Sequence, residues 1–218
     1  MGGTLEKYLT ASYWLRPLRY PLTWLAMVVD LSPIVFALMN DWGATAFVLL
    51  YWAENVIIGV ATFFRIIAAG AVKHGLGGFA GALFLAAFFC VHYGMFCFVH
   101  GIFIFNFADI NVAFLPTDAF KAITSLYQGA GIILVLMALF QLAAIIADYW
   151  PSRGKHFVDV KEEMFAPYGR VVVLHLGIFV GVAALMSVGD PTIGVFLLIL
   201  FRAGFSIIGR AWRESNAG

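Results

Sequence analysis

Long apolar segments separated by short polar connections dominate this chain. Six of these segments approach or exceed the length of about 20 residues that a helix needs to cross the hydrocarbon core of a bilayer. The pattern therefore predicts an all-α fold, a polytopic membrane bundle forming a single domain over residues 1–218. The predicted transmembrane helices cover residues 20–40, 44–69, 79–107, 129–149, 171–188 and 191–210.

One shorter helix is predicted in the connection formed by residues 108–128. Pro116 marks its start, and the apolar residues Phe120, Ile123 and Leu126 then recur on one face. A short helix with one apolar face rests in the membrane interface rather than crossing the bilayer. We therefore expect an interfacial helix between the third and fourth membrane spans.

The composition places the chain in the membrane. Hydrophobic residues make up 63% of the sequence and charged residues only 11%, whereas a soluble domain has about 25% charged residues. The net charge of +1 gives no electrostatic reason to expect nucleic acid as a partner. The expected partner is the lipid bilayer, a lipid-soluble small molecule is a second candidate, and the oligomeric state is left open.

Basic residues predict the orientation of the bundle, because cytoplasmic loops are enriched in lysine and arginine. With six spans, every basic cluster falls on one side, and both termini share that side. The sequence therefore predicts a multi-pass protein of the cell inner membrane with both termini in the cytoplasm. The residues counted are Lys7, Arg16, Arg19, Arg65, Lys73, Arg153, Lys155, Lys161, Arg170, Arg210 and Arg213.

Ionisable and polar side chains occur inside the apolar segments. A charged group at the bilayer centre costs about 2.5–3.5 kcal/mol on insertion scales, so such groups pair, bind a ligand or face water. They can also serve helix packing alone, which is the structural alternative for each of them. The intramembrane polar residues are Asp30, Glu54, Asn55, His92, Tyr93, His100, Gln141, His175 and Arg202.

Depth in the bilayer singles out three of these side chains. Helices 44–69 and 79–107 are consecutive and antiparallel, which puts Glu54 at a depth between His92 and His100. Carboxylate and imidazole groups are common ligands of zinc and iron. We therefore predict Glu54, His92 and His100 as a metal site, with zinc, iron or haem as candidate cofactors. His175 is expected near the cytoplasmic end, outside this cluster.

Two stretches carry a resemblance to a known group of proteins. "LYWAENVIIG" contains Trp52, Glu54 and Asn55, and "FFCVHYGMFCFVHGIFIF" contains His92 and His100, each close to a glycine. These patterns resemble an uncharacterised prokaryotic family of multi-pass membrane proteins with a domain of unknown function. The resemblance implies a lysine, acidic residues and a histidine on the last helix, where this chain has "FRAGFSIIGRAW". The family implies no activity.

Three classes of function fit the buried polar residues. The first is a metal or haem site, with or without enzymatic activity, that acts on a lipid-soluble substrate through Glu54, His92 and His100. The second is a proton-coupled transporter or channel in which Asp30, Glu54 and His92 relay protons. The third is an accessory subunit in which the polar cluster only fixes helix packing. We favour the first class, because ligand-type groups converge at one depth.

Overall fold

A computed structural model describes residues 21–112, 116–149 and 159–188 of the chain. Within these residues every regular element is a helix and there is no strand, which confirms the predicted all-α class. The elements are α1 (Pro21–Asn40), α2 (Ala44–Phe107), α3 (Pro116–Leu126), α4 (Ala130–Tyr149), α5 (Val160–Phe165) and α6 (Tyr168–Val188).

Helix α2 is helical over 64 residues but folds back on itself. It contains two long apolar arms, Ala44–Val72 and Gly77–Phe107. A Cβ atom on Gly59 would lie 2.8 Å from the Tyr93 ring, and one on Gly101 would lie 3.0 Å from the Trp52 ring. Only glycine allows such close approach, so the arms pack as antiparallel neighbours, as the sequence predicts for its second and third spans.

The number of membrane spans differs from the predicted six. In the part of the chain that the structure describes, three helices are long and apolar enough to cross a membrane: the two arms of α2, and α4. Helix α1 follows the predicted first span, but its apolar part, Trp24–Asn40, is shorter than the three helices that are long enough to cross a membrane. Helix α6 covers Tyr168–Val188, but it is not one of these three helices. The predicted span 191–210 lies outside the described residues.

Helix α4 lies between α1 and the arms of α2, and the two ends of the bundle have separate cores. At one end, here called the Trp42 end, Trp42 packs on Phe36 and Tyr127, and Ile123 of α3 is fully buried. This burial fixes the apolar face of the predicted short helix against the bundle. The other end, called the α5 end, holds Ile66, Ala82, Ala86, Phe89, Tyr93, Met164 and Val171 in its core.

The outer surface of the bundle is strongly apolar. Leu38, Phe84, Val91 and Phe107 are each more than 70% exposed, and many other large apolar side chains share this surface. Soluble monomers rarely expose apolar surface on this scale. Together with the three long apolar helices, this surface indicates a membrane protein.

Residues 160–171 take an inward course that the sequence does not predict. They include the last charged residues of a stretch expected to lie in the cytoplasm, yet Glu163 is 1% exposed and Met164 and Val171 are each 8% exposed. Helix α5 packs against α2 more extensively than any other helix pair in the described residues. Helix α6 therefore begins beside the arms of α2, which moves Arg170 and His175 deeper into the bundle than expected.

Candidate functional site

A buried ion pair joins α2 to the start of α6. The guanidinium Nη1 of Arg170 lies 3.1 Å from the carboxylate Oε1 of Glu54, and the two side chains are 23% and 6% exposed. The Asp30 carboxylate on α1 also acts electrostatically on Arg170. The first arm of α2 and the first turn of α6, which are distant in sequence, therefore bring opposite charges together inside the bundle.

Hydrogen bonds from tyrosine and asparagine surround this ion pair. The Tyr51 hydroxyl donates to the backbone carbonyl of Arg170 at 3.2 Å. The Asn55 amide donates to the carbonyl of Tyr51 at 2.9 Å, and the Tyr93 hydroxyl donates to the backbone carbonyl of Asn55 at 3.3 Å. This network links the two arms of α2 and holds the first turn of α6 against them.

A tryptophan makes a second link between the arms. The Trp52 indole N–H donates to the backbone carbonyl of Cys97 at 2.7 Å, and its ring meets the Phe105 ring edge-on at 5.3 Å. A carbonyl inside a helix already accepts a bond from the helix, so it accepts the indole as a second donor. Trp52 fixes the second arm one turn before His100.

Two histidines face each other between the second arm of α2 and α6. Nε2 of His100 lies 2.9 Å from Nε2 of His175, and the ring centroids are 4.4 Å apart with the planes at 83°. On the far side of each ring, Nδ1 lies 2.7 Å from a backbone carbonyl, that of Phe96 for His100 and that of Val171 for His175. Each imidazole is thus fixed by its own helix and directed at the other.

The profile described as "Family of unknown function (DUF6498)" matches residues 13–217, which is nearly the whole chain. The chain belongs to this family. No match was found among curated proteins or among solved structures. The predicted membership of a family of unknown function is confirmed, while the Trp-x-Glu-Asn and histidine-glycine patterns stay a prediction about that family.

The three residues predicted as a metal site have different surroundings in this family member. Glu54 pairs with Arg170, and His100 faces His175. His92 stacks on Phe88 with ring centroids 5.7 Å apart. Among the described residues, no group of three or more His, Cys, Asp or Glu side chains is arranged to hold a metal ion. The structure therefore gives no support to metal binding by Glu54, His92 and His100 as one set.

The other predicted polar residues also have definite places. Asn55 and Tyr93 belong to the network between the arms, and Asp30 acts on Arg170. Gln141 is partly buried on α4, and Arg202 lies outside the described residues. His175 was expected apart from Glu54, His92 and His100, but the inward course of residues 160–171 carries it to His100.

A second charged cluster at the α5 end escaped the sequence analysis. Nη1 of Arg65 lies 2.6 Å from Oδ2 of Asp148 and 3.8 Å from Oε1 of Glu163, and the Tyr149 hydroxyl donates to Glu163 at 3.1 Å. The signal was present, since Arg65 stands inside the predicted helix 44–69. Counting it as a loop charge concealed its place in the bundle.

Proposed function

We propose that this protein is an integral membrane protein that binds one divalent transition-metal ion between His100 and His175. The observation that carries this proposal is the approach of the two Nε2 atoms to 2.9 Å, with both Nδ1 atoms on carbonyl oxygens. Relative to the sequence-based hypothesis, the metal ligand set changes: His175 enters, and Glu54 and His92 leave.

The hydrogen bonds favour one tautomer of each neutral ring. A carbonyl oxygen only accepts, so Nδ1 of His100 and Nδ1 of His175 both carry hydrogen in the neutral rings. Both Nε2 atoms are then bare lone pairs that face each other at 2.9 Å. Two lone pairs repel at this distance unless a positive group lies between them. At metal sites, the ring nitrogen of a ligand histidine that does not bind the metal usually donates its hydrogen to a carboxylate, a backbone carbonyl or water.

Two distances bear on whether a shared proton or a metal ion lies between the rings. A straight N–H···N hydrogen bond of the observed length would put the ring centroids about 5.2 Å apart, whereas they are 4.4 Å apart. Two imidazoles bound to one ion with bonds of about 2.05 Å at a right angle would have nitrogens about 2.9 Å and centroids about 4.5 Å apart. The observed pair of distances fits the ion better than the straight hydrogen bond.

The same distances favour some metals over others. Tetrahedral ligands at zinc-type bond lengths would put the nitrogens about 3.3 Å apart, so the pair suits an ion that takes ligands at right angles. Iron(II), nickel(II) and copper(II) have such geometries. Histidines on opposite sides of a haem iron would be about 4 Å apart at similar bond lengths. The two Nε2 atoms are therefore too close together to bind a haem iron from opposite sides.

A metal at this position leaves room for chemistry on a membrane-soluble molecule. Both imidazoles are only partly buried, so the remaining coordination positions of the ion are open to water or to a small ligand. Catalytic metal sites keep such an open position. A lipid-soluble substrate is the molecule that an open position within the apolar surface would meet.

The orientation in the cell inner membrane, with cytoplasmic termini, remains part of the proposal. Arg65 and Arg170 no longer count as loop charges, since both take part in ion pairs within the bundle. Apart from Lys121, the other basic residues of the loops and termini still fall on one side of the six predicted spans. The positive-inside rule therefore continues to favour this orientation.

Metal titration of the purified protein tests the proposal. Copper(II) or nickel(II) would be titrated into detergent-solubilised protein that lacks a histidine tag and carries His74→Ala and His156→Ala, so that only His92, His100 and His175 remain. We expect one ion per chain. His100→Ala and His175→Ala should each weaken binding by at least about tenfold, since even indirect changes at metal sites cost this much.

His92→Ala is the matched control, because His92 lies on the same helix as His100 but among aromatic rings. It should bind the ion as the parent protein does. Nitrogen hyperfine structure in the copper(II) spectrum should show two imidazoles in the parent protein and fewer in either ligand variant. A parent protein that binds no ion, or a His92→Ala variant as weak as His100→Ala, would contradict the proposal.

A further inference from the structure

A stripe of buried polar residues runs along the first arm of α2. Tyr51, Glu54, Asn55, Thr62 and Arg65 are each between 2% and 7% exposed. At 3.6 residues per turn they fall within about 100° of one another around the helix, and they extend about 21 Å along it. This length covers about two-thirds of the hydrocarbon core of a bilayer. We call these five residues the interior stripe.

The opposite face of the same arm has the reverse character. Val60 and Phe64, half a turn away from Thr62, are 56% and 54% exposed. The arm thus presents apolar side chains outwards and a column of polar groups inwards. Polar groups in a membrane helix that face the bundle interior are typical of ion and proton pathways.

Carboxylates lie near both ends of the interior stripe. At one end they come from α4 and α5, and near the other end the carboxylate is that of Glu54, which belongs to the stripe. At the α5 end, Arg65 contacts Asp148 and Glu163, and Asp148 is 40% exposed, which connects this cluster to the surroundings of the bundle. About 16 Å further along the helix, Glu54 pairs with Arg170. Carboxylates are therefore available as proton carriers at both ends.

Hydroxyl and amide groups lie between these two clusters. Thr62 is one turn from Arg65, and the Tyr93 hydroxyl reaches Asn55 from the second arm. A hydroxyl accepts a proton on one side while it donates one on the other, so it passes protons without a net change. Water molecules would complete the chain at the Thr62 level.

We propose that the interior stripe is part of a proton conduit that crosses the membrane, and that it transfers protons between the Glu163 and Asp148 carboxylates and the Glu54 carboxylate. A proton leaves one carboxylic acid, passes along water molecules and the Thr62 and Tyr93 hydroxyls, and binds the next carboxylate. No bond other than O–H forms or breaks, and no oxidant or reductant takes part. This path goes beyond the metal site and does not require a bound ion.

Proton flux into liposomes tests the path directly. The full-length protein would be reconstituted with a trapped pH-sensitive dye and a potassium gradient with valinomycin, in the presence of EDTA so that metal binding plays no part. We expect dissipation of the imposed gradient to be several-fold faster than in protein-free liposomes. Thr62→Val, Glu54→Gln and Glu163→Gln should each lower the protein-dependent flux at least severalfold.

Glu162→Gln is the matched control for Glu163→Gln, because Glu162 is the neighbouring exposed carboxylate on α5. It should conduct as the parent protein does. Thr62→Val conserves size and removes no charge, so it keeps the test valid if a carboxylate variant fails to fold. Protein-dependent flux that is absent in the parent, or unchanged in folded Thr62→Val, would overturn the path.

Discussion

His92 and His100 lie on the same helix, eight residues apart, yet their surroundings have little in common. His92 lies among the rings of Phe88, Phe96 and Tyr168, at centroid distances between 5.3 and 5.8 Å. His100 faces His175 through its Nε2 atom at 2.9 Å. Both residues follow the same kind of local sequence, so the difference comes from what α6 brings to each position.

The position of α6 depends on the contacts at its first turn. Glu54 binds the Arg170 side chain, Tyr51 binds the Arg170 carbonyl, and the next carbonyl, that of Val171, accepts from His175. A chain of contacts therefore runs from the first arm of α2 to the imidazole that meets His100. His92 meets this turn only through the ring of Tyr168, so changes along the chain of contacts should affect His100 more than His92.

Arg170→Met should give the largest effect. It leaves Glu54 buried without the guanidinium, and breaking a buried pair costs about 3 kcal/mol at the lower end of the usual range. The lower end applies because Arg170 is 23% exposed. We expect a clear drop in the free energy of unfolding measured in detergent by denaturant titration, together with weaker binding of copper(II).

Lys121→Met is a suitable control for this variant. Lys121 also pairs with a carboxylate, that of Asp118 at 4.0 Å, but its side chain is 80% exposed. Exposed pairs contribute little to stability, so this variant should unfold as the parent does. An Arg170→Met protein with unchanged stability would show that the ion pair does not anchor α6.

Tyr51→Phe should have a smaller effect in the same direction. The ring stays in place, but the hydrogen bond to the Arg170 carbonyl is lost, and such a bond contributes about 1 kcal/mol. Denaturant titration should show this loss of stability, and copper(II) affinity should fall by less than in Arg170→Met. Tyr127→Phe, which keeps its ring contact with Trp42, should leave both quantities unchanged. If Tyr51→Phe lowers the free energy of unfolding more than Arg170→Met does, then the ion pair is not the stronger of the two contacts that hold α6.

The lengths of the apolar segments predicted much of the fold, because helix formation in an apolar segment is a local property. The predicted first span, 20–40, corresponds to Pro21–Asn40, and the fourth, 129–149, to Ala130–Tyr149. The pairing of the α2 arms followed from a short connection between consecutive spans. These features need no knowledge of distant residues.

The candidate site was less predictable, because its partners are distant in sequence. Glu54 and Arg170 are 116 residues apart, and Arg65 and Asp148 are 83 apart. A lysine or arginine near the end of an apolar segment has the same local pattern whether it faces water or enters the bundle. Only the packing of α5 on α2 decides this, and it carries His175 to His100 as well.

His92→Phe should give the smallest effect and is the sharpest check of the comparison between the two histidines. Phenylalanine fits an aromatic surrounding, and His92 stacks on Phe88 with an interplanar angle of 7°. Exchanges of similar size within a packed site cost less than about 1.5 kcal/mol, so the unfolding free energy should change little. Copper(II) binding should stay as in the parent protein, whereas His100→Phe should abolish it. If His92→Phe instead lowers copper(II) affinity as much as His100→Phe does, then the two positions share a function, and the separation between aromatic packing and ion binding fails.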